Sequence, residues 1–433
     1  MFNNIKKTAT FIALLLLPLS LMATEIVGKI QSISQQAKVI QYLNTKTNTV
    51  EIITFSEQTK LENATSFNDL TVNTKFKATV NDKMAASYIK RILVQLPEEQ
   101  VITTEPLFAM IENGHPLFIG DARPTGIYNM GHLPNAISTP ATELADKLQL
   151  LPEDKTTPLV FYCGGVTCPL SPKAMKIAMS NGYTNVKAYV EGFPAWKEEV
   201  YPVHVNQNWL AQNLDTHHII LDVRDTPTNF IQGALHLPAS KLLTMHEQWN
   251  KDKYPTSKRT FLGLRDKKAP ISIVADTETS TQAIEAYEIL TFWTFKNVAI
   301  LNGGMDSWLH AKLPLGDGKI GTELVYVKKL SAGEITEADF VKAVKSGSAT
   351  IIDLRDSGEV SQGRLQKSIN IPLEQLAQNL HKIPKTGLVI LHCSGGSRAA
   401  LAYTLLSKKG YKNVKYLSDS FADIAQKNGL KLI

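Results

Sequence analysis

An apolar run ending in Asp-x-Arg occurs three times in this chain: Phe118-Ile119-Gly120-Asp121-Ala122-Arg123, Ile219-Ile220-Leu221-Asp222-Val223-Arg224 and Ile351-Ile352-Asp353-Leu354-Arg355. The first two copies are followed by Gly131-His132-Leu133-Pro134-Asn135-Ala136 and Gly233-Ala234-Leu235-His236-Leu237-Pro238. The third has only Gly363-Arg364-Leu365-Gln366 before Ile369-Asn370-Ile371-Pro372. Each copy later reaches an Asn-Val pair that opens an apolar strand, at Asn185, Asn297 and Asn413. Two then close on Gly192-Phe193-Pro194-Ala195-Trp196 and Gly303-Gly304-Met305-Asp306-Ser307-Trp308. Self-similarity of this kind means repeated units. Apolar strands alternating with helix-length segments predict, for each unit, a parallel sheet with helices on both faces.

What precedes the repeats reads differently. Residues 24–98 are rich in Val, Ile and Thr in near-alternation, as in Lys75-Phe76-Lys77-Ala78-Thr79-Val80, and predict a small all-β domain, an OB-like barrel. Residues 1–23 have the make-up of a cleaved export signal: Lys6 and Lys7, an apolar stretch from Phe11 to Leu17, then Pro18, Ser20 and Ala23. That stretch is too short to span a bilayer, so the expectation is a periplasmic protein with no stable membrane insertion. Without Lys6 and Lys7 the formal net charge of +6 falls to +4. With no basic run interleaved with aromatics, nucleic acid is a poor partner for such a chain.

There are three cysteines, too few for a disulfide framework. Cys163 and Cys393 each end a short apolar run and open a glycine-rich loop that leads into a helix-like segment; Cys168 lies inside the first loop. A strand-loop-helix turn aims backbone N–H groups and the positive end of a helix dipole at the sulfur. The thiolate is the reactive form of a cysteine, and an ordinary thiol is mostly protonated at neutral pH. A helix terminus supplies about 0.3–1 kcal/mol, so the amides of Ser394, Gly395, Gly396 and Ser397 and the charge of Arg398 are expected to supply the larger share at Cys393. The first loop, Gly164-Gly165-Val166-Thr167-Cys168, has no arginine. It reads as two residues longer than the third, because Cys163 precedes Asn185 by 22 positions and Cys393 precedes Asn413 by 20. Ser171 is expected to cap the next helix and Pro172 to be its first residue. In the middle repeat Ala275 lies 33 positions before Trp308, as Cys163 lies 33 before Trp196, so alanine replaces the nucleophile there beside Asp276 and Glu278.

Taken together, the strand-end Asp-x-Arg, the Gly-His-x-Pro segment, the strand-Cys-loop-helix turn and the closing Gly-x-x-x-Trp resemble the rhodanese-like sulfurtransferase family over residues 100–433. The resemblance implies an α/β fold class with three tandem rhodanese-like domains, at 99–204 with Cys163, at 205–320 with Ala275 at the site, and at 321–433 with Cys393. It implies that a cysteine accepts sulfane sulfur, becomes a persulfide and passes the sulfur on without a metal or organic cofactor. The partners would be a small inorganic sulfur donor (thiosulfate or polysulfide) or a protein persulfide, and a thiol or protein acceptor. Cys393 carries the best match, with four loop residues between it and Arg398; Cys163 is the second candidate.

Three rivals stand beside this reading. Cys163 and Cys168 form a possible redox pair for thiol–disulfide exchange. Phosphatase-like chemistry would want five residues between Cys and Arg, one more than the four before Arg398. A non-catalytic scaffold would account for Ala275 and the leading β-domain. The Asp-x-Arg pairs read as structural ion pairs, because arginine is no base at neutral pH. His132 and His236 read as packing residues, and Trp196 and Trp308 as core anchors. His217-His218 lacks a second ligand cluster for a metal. His392 should point away from Cys393 along a regular strand.

Overall fold

The structure is a computed structural model that describes residues 23–433 except 36–37, 252–254 and 256–258. The expected export signal lies, apart from Ala23, outside the described residues. The described residues form two compact units, one running up to residue 91 and including 350–413 and 420–433, the other of 92–349 and 414–419.

The amino-terminal domain is a six-stranded mixed sheet in the order Val50–Thr54, Val39–Asn44, Thr24–Ser34, Lys75–Val80, Ala86–Arg91, Lys60–Glu62. A parallel bridge between Thr54 and Ala85 joins the first of these to the start of the fifth, so the sheet curls back on itself. That ring of five strands matches the expected OB-like arrangement. The alternation seen in sequence is the cause: Phe76, Ala78 and Val80 point inward along one strand and join Ile30, Ile40, Tyr42, Ile53 and Ile89 in one core.

The first two repeats each build a parallel sheet. In the first, the order is Val186–Tyr189, Leu159–Tyr162, Phe118–Asp121, Ala136–Ser138; in the second it is His204–Val205, Asn297–Leu301, Pro270–Val274, Ile219–Asp222, Leu235–His236. The central strands are buried along their length, as near-continuous apolar runs require when helices cover both faces. In the third repeat Ala349–Asp353 lies between Ile369–Asn370 and Leu388–His392.

One backbone hydrogen bond recurs in all three repeats and fixes their equivalence. Ala122 N–H donates to the Tyr162 carbonyl at 2.9 Å, Val223 to Val274 at 2.9 Å, and Leu354 to His392 at 2.9 Å. The residue after each acceptor is therefore the same structural position: Cys163, Ala275 and Cys393. Each Asp-x-Arg is a buried fork. Arg123, Arg224 and Arg355 donate through Nε and Nη2 to Asp121, Asp222 and Asp353. Each Nη2 also donates to a carbonyl of the following loop, at Gly131, Asn229 and Gly363. The pair thus ties the strand end to the loop beyond, a structural use. Trp196 and Trp308 are fully buried, each donating its ring N–H to a carbonyl six residues on, at Pro202 and Pro314.

Candidate functional site

In the third repeat the strand Leu388–His392 delivers Cys393 to the mouth of the helix Ser397–Lys408. Gly396 sits at φ 85°, in the left-handed region that favours glycine. That turn swings the Gly396 N–H onto Cys393 Sγ at 3.1 Å. The sulfur is thus a hydrogen-bond acceptor at a helix N-terminus, the arrangement expected for a sulfur anion. Cys393 itself is 1% exposed, while Gly395 and Ser397 at the rim of the loop are exposed.

The arginine does something the sequence did not announce. Arg398 lies against Cys393, but its two terminal nitrogens each donate to Glu359 at 2.6 Å, and one also reaches Ser394 Oγ at 2.9 Å. Burial pushes the Glu359 carboxyl up, yet the Arg398 hydrogen bonds outweigh this and hold it down at about 2. The guanidinium charge expected to serve the sulfur is therefore largely offset by a carboxylate. Arg398 thus has two tasks: it interacts with the Cys393 sulfur by hydrogen bond and charge, beside the amide and the helix terminus, and it braces the loop to Glu359. One sequence signal pointed to Glu359. Asp356-Ser357-Gly358-Glu359 is a capping box, and both of its reciprocal hydrogen bonds form at the short helix Ser357–Val360.

Cys163 occupies the same position with the opposite polarity. Its thiol lies 3.3 Å from the Cys168 carbonyl, to which it donates, and 3.2 Å from Ser171 Oγ. Burial pushes the thiol far up from its ordinary range, and the hydrogen bond and repulsion at Cys168 act in the same direction. The helix here is Leu170–Ser180, capped at Pro169. This corrects the expectation that Ser171 caps and Pro172 begins the helix. Pro172 still falls in the first turn, where a missing N–H costs nothing, and Ser171 is freed to approach the sulfur. The helix begins seven residues after Cys163 but four after Cys393, so the loop is three residues longer rather than two. The longer loop, with Gly164, Gly165, Val166, Thr167 and Cys168, folds a carbonyl toward the sulfur. Val166 is further held by a bond from Val94 N–H at 2.7 Å. Cys163 and Cys168 are not joined by a disulfide here.

In the middle repeat Ala275 is buried at the cysteine position, and Asp276 reaches Arg224 at 3.3 Å. Gly304 makes this loop possible. At φ 58° it passes so close that a Cβ would lie 2.4 Å from the Asp276 carbonyl. Gly192 does the same below Cys163.

The remaining candidates are packing groups. His132 stacks on Tyr128 and pairs with its carbonyl at 3.0 Å; His236 Nε2 lies 2.9 Å from the Arg224 carbonyl. His217 and His218 turn to the Val327 carbonyl and to Ser272, and among the described residues no cluster has the make-up of a metal site. His392 lies away from a dyad geometry, stacked on Phe421 with Nε2 3.7 Å from Asp353.

Burial holds His132 at about 3 and His218 and His392 at about 4. These groups are depressed in the folded state, so the unfolded chain binds more protons below its ordinary histidine value near 6.5. The stability they confer is complete above that value and is lost as pH falls toward 4. At pH 5 each should cost about 2 kcal/mol relative to pH 7.5. Calorimetric melts at the two pH values should show the loss, and His132→Gln should reduce it; equal melts would contradict the assignment.

Comparison with known proteins adds the family. The rhodanese-like domain matches residues 103–199, 206–311 and 336–427. An HTH-type transcriptional regulator of Mycobacterium tuberculosis is 37% identical over 105 residues, 24% of this chain and 45% of that protein. A sulfurtransferase of Allochromatium vinosum is 28% identical over 64 residues, 15% of this chain and 60% of that protein. The crystal structure of thiosulfate sulfurtransferase from Pseudomonas aeruginosa aligns at 17% identity and a TM-score of 0.26, covering 78% of this chain and 67% of that one. The chain spans less than two thirds of the length of either curated relative.

Proposed function

Because this chain belongs to the rhodanese-like domain family, we propose that it is an exported sulfurtransferase whose working nucleophile is Cys393. The observation that carries the reading is the Gly396 N–H directed at Cys393 Sγ above the helix Ser397–Lys408. In the proposed cycle the Cys393 thiolate attacks the sulfane sulfur of thiosulfate. The sulfur–sulfur bond breaks and sulfite leaves with its electron pair. The persulfide formed carries its negative charge on the outer sulfur, at the exposed rim of the loop. An acceptor thiolate or cyanide attacks that sulfur and returns Cys393 as thiolate. Polysulfide or a protein persulfide fits the same cycle with a different leaving group. Export rests on the composition of residues 1–23, and a periplasmic location follows from it.

Cys163 is assigned a secondary role. Facing a carbonyl, it favours the protonated form, and a thiol that is not ionised is a poor nucleophile. The test is steady-state thiocyanate formation from thiosulfate or polysulfide with cyanide, using the full chain under reducing conditions. Turnover above the reagent background, retained in Cys163→Ser, is expected. No turnover with either donor contradicts the reading.

A further inference from the structure

A cleft of 920 Å³ lies where the first two repeats meet, and the established chemistry of the fold leaves it unused. One wall is the helix Thr104–Glu112, which turns Phe108, Ile111 and Glu112 toward it at helical spacing. The facing wall is the helix Thr281–Phe292, which contributes Ile284, Glu285, Glu288, Ile289 and Phe292, again one face of a helix. Glu278 and Thr279 enter it from the loop that lost its cysteine, and Glu199 and Val200 close one end.

Two properties set this cleft apart from ordinary surface. It is apolar and open: Phe292 leaves 49% of its surface exposed, Leu243 38% and Val200 42%. Val200 is also held at φ 62°, a conformation a β-branched residue rarely adopts. Its charge is of one sign. Glu112, Glu199, Glu278, Glu285 and Glu288 line it with no lysine or arginine, and among the described residues none of the five takes part in an ion pair. Carboxylates gathered at an apolar surface repel one another unless a cation meets them.

We propose that this cleft docks a basic amphipathic segment of a partner protein, with the apolar side chains of the segment against Phe108, Ile111 and Phe292 and its lysines or arginines against the glutamates. A small cation would neutralise one or two of the five carboxylates and leave the apolar walls wet. A peptide with several basic residues along one apolar face satisfies both, the helix-in-groove mode of recognition. The middle repeat, with Ala275 at its site, thereby keeps a use as a recognition domain, and the docking does not depend on Cys393 being active.

The probe is a fluorescein-labelled amphipathic helix of about 15 residues, built from Leu and Lys, titrated with the full chain by anisotropy. Two control peptides accompany it, one of the same composition with the apolar face scrambled and one with Glu in place of Lys. Saturable binding is expected for the amphipathic basic peptide, at least tenfold weaker for the scrambled one and absent for the acidic one. The charge reversal Glu285→Lys with Glu288→Lys should weaken binding tenfold or more, and so should Phe292→Ser; Cys393→Ser should not change it. Because charge reversal on a helix can disturb folding, Glu285→Gln with Glu288→Gln is a second variant and should weaken binding in the same direction with an unchanged melt. Equal binding of the scrambled peptide, undiminished binding by the glutamine variant, or displacement of the peptide by equimolar spermidine would each overturn the proposal.

Discussion

Cys393→Ser is expected to abolish thiocyanate formation, by three orders of magnitude or more, while Cys163→Ser keeps most of it. A serine hydroxyl at this position would still accept the Gly396 hydrogen bond, so the loop should keep its shape and the melt should barely move. What is lost is the sulfur itself: no hydroxyl at neutral pH exchanges sulfane sulfur as a thiolate does. The bracing residues should have a smaller, graded effect. Arg398→Ala removes the group that fastens the loop to Glu359 and leaves an unpaired carboxylate facing the site. Loss of one preorganised donor in a catalytic cradle costs about 10²–10³ in rate. Glu359→Gln keeps a hydrogen-bond partner for Arg398 and removes the opposing charge, so it should cost far less. Comparable losses in both variants would mean that Glu359 acts on the sulfur and is no mere brace for the arginine.

The second large effect is on stability. Asp353 is fully buried and holds Arg355 through two nitrogens, and His392 packs beside it. Asp353→Ala leaves the Arg355 guanidinium buried, desolvated and without its carboxylate. Removing one member of a buried pair costs about 3–5 kcal/mol, a large share of the stability of a domain this size. Urea unfolding followed by the third repeat's amide exchange should show the loss. Asp121→Ala and Asp222→Ala should do the same in their own repeats, since the fork is repeated there with the same contacts. A loss below about 1 kcal/mol would contradict a structural role for the pair.

The parts that were legible in sequence were those with a local cause. The Asp-x-Arg repeats announced the strand ends because the fork forms between residues two apart. Alternation in Lys75–Val80 announced a sheet with one inward face. Counting back from Trp308 and Trp196 placed Ala275 at the cysteine position, and the recurrent bond to Tyr162, Val274 and His392 places it there again. What stayed hidden depended on where a chain turns in space. Ser171 and Pro172 have the right residue types for a helix start, yet the helix begins at Leu170, because the buried sulfur of Cys163 offers the serine a partner that a cap would deny it. That the loop after Cys163 presents a carbonyl and the loop after Cys393 an amide cannot be read from two glycine-rich segments of similar composition. It follows from where each backbone turns, at Gly165 with φ 104° and at Gly396 with φ 85°. Glu359 was hidden for a related reason. Its capping box is local, but its pairing with Arg398 spans 39 positions, a distance that no local pattern reports.

The most direct measurement is the mass of each cysteine-bearing peptide after the reduced protein has met thiosulfate or polysulfide, been freed of excess donor and been digested under acid. The Cys393 peptide should be heavier by one sulfur atom, cyanide should remove the increment, and the peptide holding Cys163 and Cys168 should be unchanged. If the increment falls on Cys163 alone, or on no cysteine with any donor, an anion cradle at Cys393 is not what this loop provides.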